Sequence, residues 1–136
     1  MRANVSPKTI RGIIAADGYL DLNMPEHALE ELNGMEDAGF YEPPRQFLIG
    51  RALKMLDRLD EAIRPLEEAA RRMPSPYRKL AWAELTECYR FLGSEELAQI
   101  AESLAGSAEA ETSYKLVLPD VEITLAERNE QQLDHI

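Results

Sequence analysis

Along most of the first hundred residues apolar positions recur three and four apart, the spacing of one face of an α-helix. Ile10, Ile13, Ile14 and Leu20 make the first stripe, and Ser6-Pro7 ahead of it supplies an N-cap and a first-turn proline whose missing N–H costs nothing. That predicts a helix over 7–22. Ala28, Leu29, Leu32 and Met35 form a second stripe after the break at Asn23-Met24-Pro25, with Gly39 the expected left-handed cap at its end. Glu42-Pro43-Pro44 opens a third helix carrying Phe47, Leu48, Ala52, Leu53 and Leu56. Leu59-Asp60 hands over to a fourth carrying Ala62, Ile63, Leu66, Ala69 and Ala70, with Asp60 as its expected cap. Pro65 lies inside that stripe, where it removes a backbone hydrogen bond, so a kink or a loosened first turn is expected. Met73-Pro74-Ser75-Pro76 closes the fourth helix and starts a fifth capped by Ser75. Gly93-Ser94 divides the fifth from a sixth, whose stripe Leu97, Ala98, Ile100, Ala101 and Leu104 stops at Gly106.

The stripes repeat. PEHALEEL at 25–32 superposes on LDEAIRPL at 59–66, placing Ala28 and Ala62 34 residues apart, each followed four positions later by Leu32 or Leu66. The fifth helix adds Trp82, Leu85 and Tyr89, then Gly93 and Ala98. With that period, the set resembles the tetratricopeptide repeat, over about three repeats covering residues 7–106. On the same frame the first repeat has Ala16, Tyr19 and Ala28, and the second has Gly50, Leu53, Ala62, Leu66, Ala69 and Pro74. The chain departs from the family pattern at Gly12 and Gln46 in the place of the Trp, at Thr86 where glycine is common, and at Glu102 where a large apolar side chain packs. The third repeat also runs two residues late.

The resemblance implies an all-α fold: a right-handed solenoid of antiparallel helix pairs, six helices in all, over residues 1–106, with an irregular C-terminal tail over 107–136. Trp82, Leu85 and Tyr89 then face inward, Ala98 lets the second helix approach, and Gly93 makes the left-handed turn. The first helix of each pair lines a concave groove that holds another protein's peptide or helix. Its groove positions are Ile13, Asp17 and Leu20, then Phe47, Arg51 and Lys54, then Ala83, Glu87 and Arg90. Arg51, Lys54 and Arg90 beside Phe47 and Ile13 suit a partner segment mixing acidic and apolar residues, although each charge equally suits a solvated helix face. The subgroup that clamps chaperone C-termini uses Lys and Asn at positions that here read Ile13, Asp17, Leu48, Leu80 and Glu84, so that specificity does not transfer.

Charge narrows the partner. The 136 residues carry a net charge of −10, which argues against nucleic acid and against an anionic membrane surface. The distribution is uneven: residues 45–79 carry +4, while 1–44, 80–106 and 107–136 carry −5, −4 and −5. No run approaches the roughly 18 apolar residues of a membrane span and the N-terminus lacks a secretory pattern, so a cytoplasmic protein is expected. Cys88 is the only cysteine and falls in an apolar stripe, which reads as a packed thiol. His27, assigned to an inter-helix turn, and His135 leave no histidine pair, Ser/His/Asp set or metal-ligand spacing, and no glycine-rich phosphate loop occurs. Catalysis, cofactors and metals are therefore not expected.

After Gly106 the pattern changes to a small, acidic linker, GSAEAETS, and then to alternation in Leu116/Leu118 and Val121/Ile123/Leu125 around Pro119. Three roles fit: a solvating tail, a segment folded back on the groove, or a docking strand, with fold-back favoured by its acidic and apolar mix. The sequence thus points to an adaptor or scaffold that binds another protein. The alternatives are a small acidic secretion-type chaperone for one client segment, and a structural subunit that self-assembles as a homodimer through its tail.

Overall fold

The computed structural model describes residues 6–106, together with the backbone of 117–118 and 121–122. Residues 6–106 are all-α, with six α-helices among them: α1 (Pro7–Asp21), α2 (Pro25–Asn33), α3 (Glu42–Met55), α4 (Leu59–Arg72), α5 (Arg78–Phe91) and α6 (Glu95–Ala105). Each packs on its neighbours in sequence, and α3 also touches both α1 and α5. Val117–Leu118 and Val121–Glu122 pair antiparallel, Val117 opposite Glu122 and Leu118 opposite Val121. The linker and the three roles weighed for residues 107–136 otherwise lie outside the described residues. Among the described residues, no helix is long and apolar enough to cross a membrane.

Three joints are the same object built three times. Leu22, Leu56 and Leu92 end α1, α3 and α5, and each is followed by a left-handed residue: Asn23 (φ 61°), Asp57 (φ 64°) and Gly93 (φ 87°). The next backbone N–H then reaches back five residues: Met24 to the Tyr19 carbonyl (2.8 Å), Arg58 to Leu53 (2.9 Å) and Ser94 to Tyr89 (2.8 Å). This is the six-to-one bond of a Schellman cap, which satisfies carbonyls that a helix end leaves open. Four residues on, the N–H groups of Ala28, Ala62 and Ala98 donate to the carbonyls of Met24, Arg58 and Ser94, starting the second helix of each pair. The joints recur at 34 and then 36 residues. Glycine is the residue that makes such a turn without strain, and asparagine and aspartate are the ones that tolerate it best.

The helices meet through small residues. Ala16, Ala28, Ala62, Ala69, Ala81, Ala98 and Ala101 are fully buried, so backbones approach closely along the chain of pairs. Gly50 shows how closely: a Cβ there would sit 2.4 Å from Cγ of Leu66, so the leucine of α4 rests on the bare backbone of α3. Around these contacts Ile13, Phe47, Leu32, Leu48, Leu85 and Cys88 complete the core.

Several local expectations are corrected. α2 ends at Asn33, not at Gly39; Gly39 is left-handed (φ 56°) but opens a 3-10 turn (Gly39–Tyr41), its N–H donating to the Asp37 carboxylate (2.9 Å). Asp60 does not cap α4, because the turn from Asp57 makes Arg58 the cap; the Asp60 carboxylate accepts from the Glu61 N–H (2.9 Å) inside the first turn. Tyr77, not Ser75, precedes α5, and the N–H groups of Arg78 and Lys79 are taken by the Pro74 and Pro76 carbonyls. Pro65 leaves α4 helical from Leu59 to Arg72. His27 lies in the first turn of α2 rather than in a loop, its ring 5.3 Å from that of Tyr19. Trp82 is only half-buried; Ala81, Leu85, Cys88 and Tyr89 are the buried face of α5.

Candidate partner-binding face

Because α3 lies against both α1 and α5, the side chains of these three helices can bridge from one to the next. Arg51 on α3 faces Asp17 on α1, with Nη1 and Oδ1 3.9 Å apart, and its guanidinium lies 6.0 Å from the centre of the Phe47 ring. One turn further on, Lys54 donates to the Glu84 carboxylate of α5 (2.8 Å) and also touches Glu87. A row of charge pairs therefore runs α1 to α3 to α5. Burial by itself pulls the Lys54 ammonium toward neutrality, but Glu84 and Glu87 outweigh it and hold its pKa above the ordinary lysine value.

The nine predicted groove residues separate into three groups. Ile13, Leu20 and Phe47 belong to the hydrophobic core, where they support the face from behind. Asp17, Arg51, Lys54 and Glu87 form ion pairs across the three helices, with Glu87 the most open of them at 61 % side-chain exposure, while Ala83 lies partly buried on α5. Arg90 stands apart from them, because its guanidinium pairs with Glu95 (3.3 Å) and Glu102 (3.1 Å) of α6.

Glu84 joins the site although it is not among the nine predicted groove residues and enters the sequence reading only at a position of the chaperone-clamp pattern. Its signal was present: Glu84 and Glu87 lie three apart on one helix, so they share a face and together reach one cation. Asp17 is equally unexpected as a buried carboxylate, since groove positions were read as open surface.

The neighbouring polar groups are structural. Thr86 is buried with its hydroxyl donating to the Trp82 carbonyl (2.9 Å), and Tyr89 donates to the Glu67 carboxylate of α4 (2.6 Å). Burial and that carboxylate push the Tyr89 phenol well above its usual range. Burial likewise pushes the Cys88 thiol up to about 11, which keeps it protonated at neutral pH. What the face offers is two cations already in contact with carboxylates, backed by the buried Ile13, Leu20 and Phe47.

The chain matches no protein-family model, no curated protein and no solved structure, so its functional reading rests on its own residues.

Proposed function

We propose that this chain is an adaptor of tetratricopeptide type, a right-handed solenoid of three antiparallel helix pairs that holds a segment of another protein against the face of α1, α3 and α5. The observation that carries the reading is the joint repeated at 34 and 36 residues together with the contact of α3 with both α1 and α5. Repeating one helix–turn–helix unit sets equivalent first helices side by side, and a row of first helices is the surface on which stacked helical repeats bind segments of partners.

The favoured partner is an acidic and apolar segment. Lys54 already holds two carboxylates, so its ammonium is positioned for that ligand, and the exposed Glu87 is the one a partner displaces most cheaply. A basic segment is the second reading, favoured by the excess of carboxylates, two against one lysine. Retention of partners from a host extract on the wild type, an Arg51→Glu/Lys54→Glu double variant and a Glu84→Gln/Glu87→Gln double variant separates the two. An acidic partner is lost from the first variant and held more tightly by the second. A basic partner shows the reverse, and equal retention on all three sinks the face as a binding site.

A further inference from the structure

The last helix has a more open and a more apolar surface than its counterparts. α2 packs against α3 as well as α1, and α4 against α5 as well as α3, whereas α6 packs chiefly against α5. Where α4 has Glu61, Arg64 and Glu68, α6 has Leu97, Ile100 and Leu104, which are 48 %, 56 % and 48 % exposed. Spaced three and four apart, they form one apolar stripe about 10 Å long, beside a shallow depression of about 500 Å³ lined also by Gln99 and Ser103.

A second apolar surface is written into the same chain a few residues on. Val117–Leu118 and Val121–Glu122 pair antiparallel with Leu118 opposite Val121, so Pro119-Asp120 is a two-residue connection. Opposite residues share one side of such a ribbon, and sides alternate along each strand. Continued outward, this register matches Leu116 with Ile123 and Tyr114 with Leu125. One side of a ribbon over 114–125 is then apolar throughout, and the other takes Lys115, Val117, Glu122 and Thr124. A lone two-stranded ribbon is marginal in water and requires a surface to lie on.

We infer that residues 114–125 form this ribbon and lay its apolar side on Leu97, Ile100 and Leu104, covering the outer face of α6. Position selects this occupant over a second copy or a separate partner. Gly106, left-handed at φ 57°, takes the chain off α6 two residues after Leu104. The seven residues 107–113 reach about 24 Å when extended, more than the roughly 16 Å length of the helix. A short tether holds the ribbon at an effective concentration in the millimolar range, which any free competitor has to exceed. Dimensions agree as well, because three successive pairs on one side of a ribbon span about 14 Å against the 10 Å of the stripe.

The contact is separate from the α1, α3 and α5 face and is tested on the full isotope-labelled chain through two variants of its own tail. Leu116→Ser/Ile123→Ser breaks the apolar side of the ribbon, and Lys115→Ser/Thr124→Ser alters only the other side. The first should move amide shifts centred on residues 96–104 and speed hydrogen exchange in α6 at least about tenfold, and the second should do neither. A nitroxide on Glu96→Cys, the one thiol open to labelling because Cys88 is buried, should broaden the amides of 114–125 within the same molecule. Ile100→Ser should release that broadening, and Arg51→Glu/Lys54→Glu should keep it. Four results overturn the inference. Broadening in a mixture of nitroxide-bearing and isotope-labelled chains would give the ribbon to a second copy, and shift changes centred on α1, α3 and α5 would place it in the groove. Equal effects of the two tail variants would remove the two-sided ribbon, and an α6 unmoved by either would leave its outer face to a separate partner.

Discussion

The pairs α3/α4 and α5/α6 are joined by the same turn and both bury small residues, but they differ at one equivalent contact. In α3/α4 a leucine sits on a glycine: Leu66 is fully buried over Gly50, and α4 lies against the backbone of α3. At the equivalent places α5/α6 has Thr86 and Glu102, and what reaches across is the ion pair from Glu102 to Arg90, open to solvent on both sides. The turn sets the path of the chain in both pairs. The side chains behind it decide whether this one position is sealed by a buried leucine or bridged by a screened charge contact, while buried Ala98 and Ala101 close the rest of α5/α6.

The comparison breaks most sharply on deletion of the two side chains. Leu66→Ala should lower unfolding free energy by about 2–5 kcal/mol, as for other fully buried leucines. Glu102→Ala should leave the urea midpoint almost unmoved. Similar losses from both would mean that the two pairs are closed alike.

Next in size is the glycine itself. Gly50→Ala gains helix propensity but forces Leu66 aside, a net loss of about 1–2 kcal/mol once overpacking is set against propensity. Gly18→Ala in α1 meets nothing within 4 Å and should stabilise by about 0.5–1 kcal/mol. Thermal melting of the two variants in opposite directions is the expected outcome.

The shared joint gives a smaller effect. Gly93→Ala puts a Cβ into a left-handed turn and should cost about 1 kcal/mol, whereas Asn23→Gly relieves the same conformation and should shift the midpoint little. Equal costs at both would show that the two turns are not equivalent.

The smallest effect is confined to alkaline pH. The Cys88 thiol is raised to about 11 in the fold from 9.0, so between those values the unfolded chain ionises its thiol while the folded chain does not, and stability falls. Lys54 acts in the same direction: its folded pKa is raised, so its contribution is complete below the ordinary lysine value and lost as pH climbs through the folded one. Urea midpoints across this range should fall less steeply for Cys88→Ala and for Lys54→Met than for the wild type.

The helices were legible because their signals are local. Apolar spacing located all six, and Ser6 was read correctly as a cap because its hydroxyl does accept from the Thr9 N–H (3.1 Å). The errors fall where the backbone outvotes the side chain. Asp60 looks like a cap by residue type, yet left-handed Asp57 starts the helix two residues earlier, and only Gly93 of the three left-handed joints advertised itself by being glycine. Gly39 was read as left-handed, which it is, but it serves a 3-10 turn. The candidate face was less legible still. Position in a repeat points to a groove but says nothing of depth, so Ile13, Leu20 and Phe47 were assigned to the surface and belong to the core. Pairing between helices is equally invisible in one dimension, which is why Lys54 was read without Glu84.

The most direct test of the account is photo-crosslinking in host extract, with a photoreactive residue in place of Glu87 on α5 or, separately, Arg64 on the outer side of α4. The account predicts a discrete partner adduct from position 87 that position 64 does not give. The same adducts from both positions, or an adduct from position 64 alone, would contradict it.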